Sequence, residues 1–140
     1  MGCIHLTVRI LCKKEINYLS NYISLHELKF GPKFIQFNNE IENTNDIIAP
    51  MLFIPLVENA IKHGNKRVPS PGITIHLFSK EDILCFVVNN HLAQHDTNKD
   101  AAGGIGLSNL KRRLELLYPQ RHSFSTEVEN DIYTSKICLS

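Results

Sequence analysis

The sequence predicts an α+β fold in which a mixed sheet is covered on one face by helices. Three observations favour it. Three segments repeat apolar residues at helical spacing, other segments are short strand-like runs, and several of those runs are separated only by short polar turns. Because such hairpins alternate with helices, antiparallel strands and helix-connected strands are expected in one sheet. A chain of 140 residues suffices for one domain with a substantial core.

The first half of the chain is predicted to form helix, strand and helix. Residues 13–29 repeat apolar side chains at helical spacing, and Gly31-Pro32 ends that helix. Residues 33–41 follow as a strand. The second helix is expected to begin near Pro50, since proline is tolerated in a first turn, and to end at His63-Gly64, where glycine commonly follows a helix.

The second half is predicted to form a hairpin, a flap, a helix and another hairpin. Residues 73–88 alternate apolar and polar side chains around a polar turn. Residues 89–103 have no periodic apolar face, which indicates a flexible flap. Leucines at helical spacing from Leu107 to Leu117 predict a third helix. The last hairpin spans residues 124–139.

Composition and charge exclude several classes of function. The net charge of +1 gives no general affinity for nucleic acid or an anionic membrane. The longest apolar run, residues 47–57, is far shorter than the roughly 20 residues that span a bilayer. Cysteines are few and lack a CxxC pair, so Cys85 and Cys138, in strand-like runs, are interpreted as buried thiols. A reduced, cytoplasmic setting follows from that interpretation.

Asn59 is the first candidate ligand residue, because it is a polar amide within an apolar helical pattern. A buried amide is destabilising unless it is hydrogen-bonded, and its oxygen is a hard ligand suited to Mg²⁺. The alternative is an ordinary asparagine near a helix end. Lys62 and His63 at the end of the same helix can contact phosphate or merely complement the helix dipole. Glu58 and Lys62 have the spacing of a surface ion pair.

A glycine-rich turn and an asparagine at a strand end are the other candidates. Gly103, Gly104 and Gly106 precede the third helix, where backbone N–H groups and the helix N-terminus favour phosphate. The spacing fits neither a Rossmann site nor a P-loop, so a hinge is an equal alternative. Asn90 ends the strand of the first hairpin, and its amide can accept from and donate to a purine edge. The alternative is a turn asparagine.

Together these segments resemble the ATP-binding domain of sensor histidine kinases, in the GHKL superfamily with gyrase, Hsp90 and MutL. Residues 50–64, with P-L-V-E-N-A-I-K-H-G at their end, resemble its N box. Residues 104–114, G-I-G-L-S-N-L-K-R-R-L, and the following L-Y-P at 117–119 resemble its second glycine box and helix. The resemblance is strongest to the autolysin-sensor type, whose kinases signal to LytTR response regulators. It covers residues 8–140 as one domain, with residues 1–7 as linker.

The resemblance implies a Bergerat-type sandwich of about five mostly antiparallel strands with three helices on one face. It implies that Mg²⁺ carried by ATP is bound by Asn59, that adenine is bound by Asn90, and that the flap, about 91–103, is an ATP lid. The implied phosphate-binding residues come from both boxes and from the lid: Asn59, Lys62, His63, Lys99, Gly104, Gly106 and Leu107.

The chain departs from the family pattern at two positions. Asn90 and the following His91-Leu92 replace the start of a D-x-G-x-G box, which removes a charge-assisted hydrogen bond to the adenine amino group. Pro55 stands four residues before Asn59, where the superfamily's ATPases have a water-activating glutamate. Phosphoryl transfer to a protein acceptor is therefore expected in place of hydrolysis.

The phosphoacceptor histidine motif of the family is absent from this sequence, so the acceptor and dimerisation helices are expected upstream of Met1. The expected whole is a bacterial kinase anchored in the inner membrane, with this domain in the cytoplasm. A response regulator is its expected partner, and neither nucleic acid nor membrane is contacted. The alternatives are a degenerate nucleotide-binding or interaction module and an anti-sigma-type serine kinase.

Overall fold

The computed structural model describes residues 10–41, 47–92 and 105–140. The predicted linker at residues 1–7 and most of the predicted lid lie outside these ranges. The described elements follow the chain in this order: β1 (Ile10–Leu11), α1 (Cys12–Phe30), β2 (Ile35–Glu40), β3 (Ile47–Ile48), α2 (Ile54–His63), β4 (Ile73–Lys80), β5 (Ile83–His91), α3 (Ile105–Leu117), β6 (His122–Glu129) and β7 (Ile132–Leu139).

Five of the strands form the predicted mixed sheet, in the order β2-β4-β5-β7-β6. The β2–β4 pair is parallel and the other three pairs are antiparallel. Parallel strands need a long connection, and α2 lies within the connection between β2 and β4. The very short strands β1 and β3 pair with each other in a separate small sheet that the sequence did not predict.

The core lies between one face of the sheet and the helices. Strand alternation puts apolar side chains of β4, β5 and β7 on this face, where they meet the buried residues of all three helices. Its fully buried members from both layers include Leu19, Leu56, Ile75, Phe86, Leu110, Leu114 and Ile137. The predicted α+β fold with three helices on one side of a mixed sheet is confirmed for the described residues.

The predicted start of α2 near Pro50 is wrong, because the helix begins at Ile54. Pro50 and Met51 instead form a turn in which Met51 has a positive φ of 56°. This turn is held by side chains from two other helices. Met51 N–H donates to Glu15 Oε1 at 2.9 Å, and Arg113 donates to the carbonyls of Pro50 and Met51 at 2.9 and 3.2 Å. Pro55 is the proline in the first turn of α2.

The interpretation of Cys85 and Cys138 as thiols is also wrong, because they form a disulfide. They are separated by 53 residues in the chain, but the β5–β7 register places them directly opposite each other, with Cα atoms 4.1 Å apart. Only the strand pairing reveals this proximity. Within the described ranges, no helix is long and apolar enough to cross a membrane.

Candidate functional site

Helix α2 positions the first set of predicted site residues. Its buried face is formed by Ile54, Leu56, Val57 and Ala60, which pack toward the sheet and α3. Asn59 lies beside this face and is only 9% exposed. An amide in such a position needs polar partners, and one side of it borders an open cleft.

The cleft lies between α2, the N-terminal end of α3 and Tyr22 of α1, and has a volume of about 680 Å³. It brings together five of the residues predicted to bind nucleotide: Asn59, Lys62, His63, Gly106 and Leu107. Its other lining residues include Pro55 and Glu58. The cleft therefore combines an amide, two basic side chains and a helix N-terminus, which is the chemistry that a polyphosphate with its metal ion requires.

The N-terminal turn of α3 forms the wall of the cleft opposite α2. Leu107 is buried and anchors this turn in the core, whereas Gly106 is exposed and a Cβ added to it would meet no described atom within 4 Å. The glycine therefore leaves open space in front of the backbone N–H groups that begin the helix, which have no partner within the helix. Gly104 and Lys99, the other predicted phosphate contacts, lie outside the described residues.

Asn90 lies at the end of β5 and is almost fully buried, with 2% of its surface exposed. Its Nδ2 donates to the carbonyl oxygen of His91 at 3.2 Å, which leaves Oδ1 as the acceptor that the sequence analysis assigned to adenine. In the described structure Asn90 lines a separate hollow of about 290 Å³, together with Gly72 and Thr74. The predicted adenine residue and the phosphate cleft are thus near neighbours, but they are not lined by the same residues.

Gly64 connects these two regions. Its N–H bonds to Ala60 O at 2.8 Å, and it pairs with Leu92 just beyond β5. A Cβ at Gly64 would lie 2.5 Å from Ala60 O and 3.6 Å from the Cβ of Asn90. The predicted glycine stop of α2 is confirmed, but its backbone is extended, with φ −72°. Glycine is required here by close approach and not by a left-handed conformation.

Tyr133 is a buried residue beneath the site that sequence analysis missed. It is 2% exposed and stands opposite Asn90 in the β5–β7 pairing. Burial raises the pKa of its hydroxyl, and interactions with Thr126 and Asn59 partly offset that rise. No described group meets Oη at standard hydrogen-bond geometry, so these interactions are looser than a regular bond. Period-2 alternation along β7 could have identified Tyr133 as inward-facing.

A second missed residue, Glu15, supports the start of α2. It is 1% exposed, and burial raises the pKa of its carboxyl group. The backbone N–H groups of residues 51–53 and the charge of Arg113 act in the opposite direction. Glu15 thus bonds the turn that precedes α2, a role normally filled by a capping side chain, and no such side-chain cap is present at Phe53.

Solved structures similar to this one are histidine kinases. The Acinetobacter baumannii histidine kinase AdeS matches with a TM-score of 0.66 at 11% identity, covering 96% of this chain and 68% of that one. The catalytic domain of histidine kinase ThkA matches with a TM-score of 0.59 at 17% identity, covering 94% of both chains. At these identities the likeness establishes the fold.

Sequence relatives point to the same class, although no protein-family model matches the chain. Sensor histidine kinase YpdA of Escherichia coli is 30% identical over 115 residues, which are 76% of this chain. Sensor protein kinase HptS of Staphylococcus aureus is 26% identical over 143 aligned positions, covering 91% of this chain. This chain is similar to histidine kinase catalytic domains in fold and, over most of its length, to sensor histidine kinases in sequence.

The chain spans only a part of these relatives, 20% of YpdA and 27% of HptS. The predicted class of the domain is confirmed, both in fold and in sequence similarity. The narrower assignment to the LytTR-associated type stays a prediction, as do the roles of the individual site residues.

Proposed function

We propose that this domain binds Mg-ATP in the cleft between α2 and α3 and supplies its γ-phosphoryl group to a protein histidine. The observation that supports the proposal most directly is the meeting of Asn59, Lys62 and His63 with the N-terminal turn of α3 around one cleft. Residues from distant parts of the sequence meet there, and together they offer the groups that would bind a metal-bound polyphosphate.

In this proposal Asn59 Oδ1 is the protein ligand of Mg²⁺, and the metal neutralises charge on the phosphate oxygens. Lys62 and His63 lie toward the phosphates, and the N–H groups at Gly106 and Leu107 donate to them. Gly104 and Lys99 complete the phosphate contacts from the lid. Adenine contacts Asn90 through its exocyclic amino group. Described His, Cys, Asp and Glu residues form no cluster of three or more, so the metal would depend on Asn59, phosphate and water.

Pro55 supports transfer in place of hydrolysis. It lines the cleft one helical turn before Asn59, and its ring has no group that could accept a proton from water. The acceptor nitrogen would form its bond to phosphorus as the bond to ADP breaks, so positioning and charge neutralisation are the main contributions of the domain.

The acceptor and the downstream partner belong to the proposal as well. We place the acceptor histidine on dimerisation helices of a longer kinase, anchored in the inner membrane with this domain on the cytoplasmic side. Histidine kinase ThkA has been solved in complex with the response regulator TrrA, and it matches this chain with a TM-score of 0.61 at 16% identity. A response regulator, of the LytTR type, is accordingly the proposed recipient of the phosphoryl group.

Two measurements test the function. Calorimetric titration of Mg-ATP measures binding, and labelled ATP with a separately supplied acceptor-helix fragment measures transfer to histidine. Asn59→Ala is expected to weaken Mg-ATP binding at least ~10-fold, because the metal loses its ligand. Asn38→Ala is the matched control, since Asn38 is exposed on β2 away from the cleft.

Each result has a distinct meaning. Binding that is lost in Asn59→Ala but kept in Asn38→Ala supports the site. A folded domain that gives no heat with Mg-ATP contradicts the proposal at the binding step. Binding without any labelling of the acceptor fragment contradicts the transfer step and favours a nucleotide-binding module.

A further inference from the structure

Strand β6 is an open edge of the sheet. It is the last strand in the order β2-β4-β5-β7-β6, and among the described residues no strand pairs with its outer side. It is eight residues long, mostly exposed, and paired with β7 in continuous register from His122 to Glu129 without a bulge. Its sequence, HSFSTEVE, contains neither proline nor lysine, the residues that commonly block such edges.

The hairpin turn determines which backbone groups of β6 face outward. Asn130 and Asp131 form a two-residue turn with positive φ at both positions, 53° and 63°. In such a hairpin Glu129 and Ile132 are a hydrogen-bonded pair, and every second residue of β6 then bonds to β7. The hydrogen bond from Ser140 N–H to Arg121 O, 3.0 Å, fits this alternation, because Arg121 lies an even number of residues before Glu129 along the chain. The backbone groups of Phe124, Thr126 and Val128 consequently point away from β7.

The side chains of β6 are self-complementary when a second copy runs antiparallel across this edge with Thr126 opposite its own counterpart. On the helix-covered face, Phe124 would lie opposite Val128 of the other copy, and Val128 is 41% exposed in the monomer. Aromatic residues opposite β-branched residues are stabilising cross-strand pairs. The outward-facing N–H and C=O groups of the two copies also match in this register.

Charge favours the same register. On the open face, Ser125 would lie opposite Glu127 of the other copy, and Ser123 opposite Glu129. A register centred on Glu127 would put two carboxylates directly opposite each other, which is destabilising. The two Glu127 side chains are diagonal neighbours in the favoured register, so added salt should tighten the pairing by screening them.

We propose that the β6 edge is a self-association surface, which pairs with β6 of a second copy about a two-fold axis at Thr126. The two five-stranded sheets would become one continuous sheet of ten strands. No residue of β6 lines the nucleotide cleft, so the proposal does not depend on the function proposed above. The occupant is a second copy because the side-chain pattern and the outward-facing backbone groups match for the strand against itself.

Sedimentation of the domain over a range of concentrations tests the pairing. A weak, reversible dimer is expected, with a dissociation constant that falls as salt is added. Thr126→Lys brings two ammonium groups together at the axis and should raise this constant at least ~10-fold. Val128→Lys is a second variant at an exposed position and should act in the same direction. Asn38→Lys, on the opposite edge strand β2, should leave the constant unchanged.

Amide hydrogen exchange identifies the surface residue by residue. The amides of Ser125 and Glu127 should be protected at every concentration, because they bond to β7. Those of Phe124, Thr126 and Val128 should become protected only as the concentration rises. A domain that stays monomeric, a dimer that both lysine variants leave intact, or protection of β6 only after another protein with a basic extended segment is added would each overturn the proposal.

Discussion

Replacing Asn90 by aspartate tests whether this residue holds adenine. Asn90 Nδ2 is engaged by the carbonyl of His91, so Oδ1 is the atom available to accept from the adenine amino group. Hydrogen bonds to charged groups contribute about 1.5–3 kcal/mol, against about 0.5–1.5 kcal/mol for neutral pairs. The difference of roughly 1–1.5 kcal/mol predicts that Asn90→Asp binds ATP about 10-fold more tightly.

The same substitution should destabilise the domain without nucleotide. The new carboxylate would be buried, would lose the donor to His91 O, and would repel that carbonyl oxygen. The penalty for a buried unsatisfied polar group is about 1–3 kcal/mol, and more for a charge. The melting temperature without nucleotide should therefore fall, and Mg-ATP should raise it further in Asn90→Asp than in the unaltered domain.

Calorimetric titration and thermal melting, at one fixed ionic strength, measure both effects. Asn89→Asp is the matched control, because Asn89 borders the same hollow but both polar atoms of its side chain already bond to Thr74 and Thr134. It should lose some stability and leave ATP affinity unchanged. A folded Asn90→Asp domain with unchanged or weaker affinity would refute the adenine assignment, as would equal tightening in the control.

Three further predictions concern stability. Burial raises the pKa of Glu15, so the folded state binds the proton of this carboxyl group more tightly than the unfolded chain does. The contribution of Glu15 to the free energy of unfolding is therefore full below its ordinary pKa near 4.5 and is lost as the pH rises through the pKa of the folded state. Urea unfolding measured across this pH range should show that the free energy of unfolding declines less in Glu15→Gln than in the unaltered domain. Cys85→Ser removes a disulfide whose ends are 53 residues apart, a loop for which chain entropy gives about 4 kcal/mol. Reductant should lower the melting temperature of the unaltered domain and leave that of the serine variant unchanged. Gly64→Ala forces a Cβ toward Ala60 O, 2.5 Å away, and should cost about 1–3 kcal/mol in the free energy of unfolding, measured by urea titration. Wild-type stability in that variant would contradict the close approach.

Much of the architecture could be predicted because it depends on local patterns. Helix α1 was predicted at 13–29 and spans Cys12–Phe30, and the hairpin β4–β5 was predicted from alternation at 73–88. The N-terminal end of α2 was misplaced because proline is compatible with a first turn at both Pro50 and Pro55. The choice between them was made by Glu15, which binds the intervening turn from a different helix.

Part of the candidate site could also be predicted from local sequence patterns, and part could not. The sequence by itself predicted a set of candidate phosphate and metal ligands, because Asn59, Lys62 and His63 share one helix and their spacing is fixed by its geometry. It could not reveal that Tyr133 stands beneath Asn59 and opposite Asn90, since that neighbourhood depends on strand register. Nor could it reveal the disulfide between β5 and β7.

Sequence alone therefore determined the fold class and the helix that forms one wall of the cleft, through periodicity and motif. Tertiary structure alone decided the position of Tyr133 opposite Asn90, the pairing of Cys85 with Cys138 and the open edge at β6. The physical reason is the separation along the chain of the residues that interact. Helical spacing and turn preferences act over a few residues, whereas sheet register and helix packing join residues that are far apart along the chain.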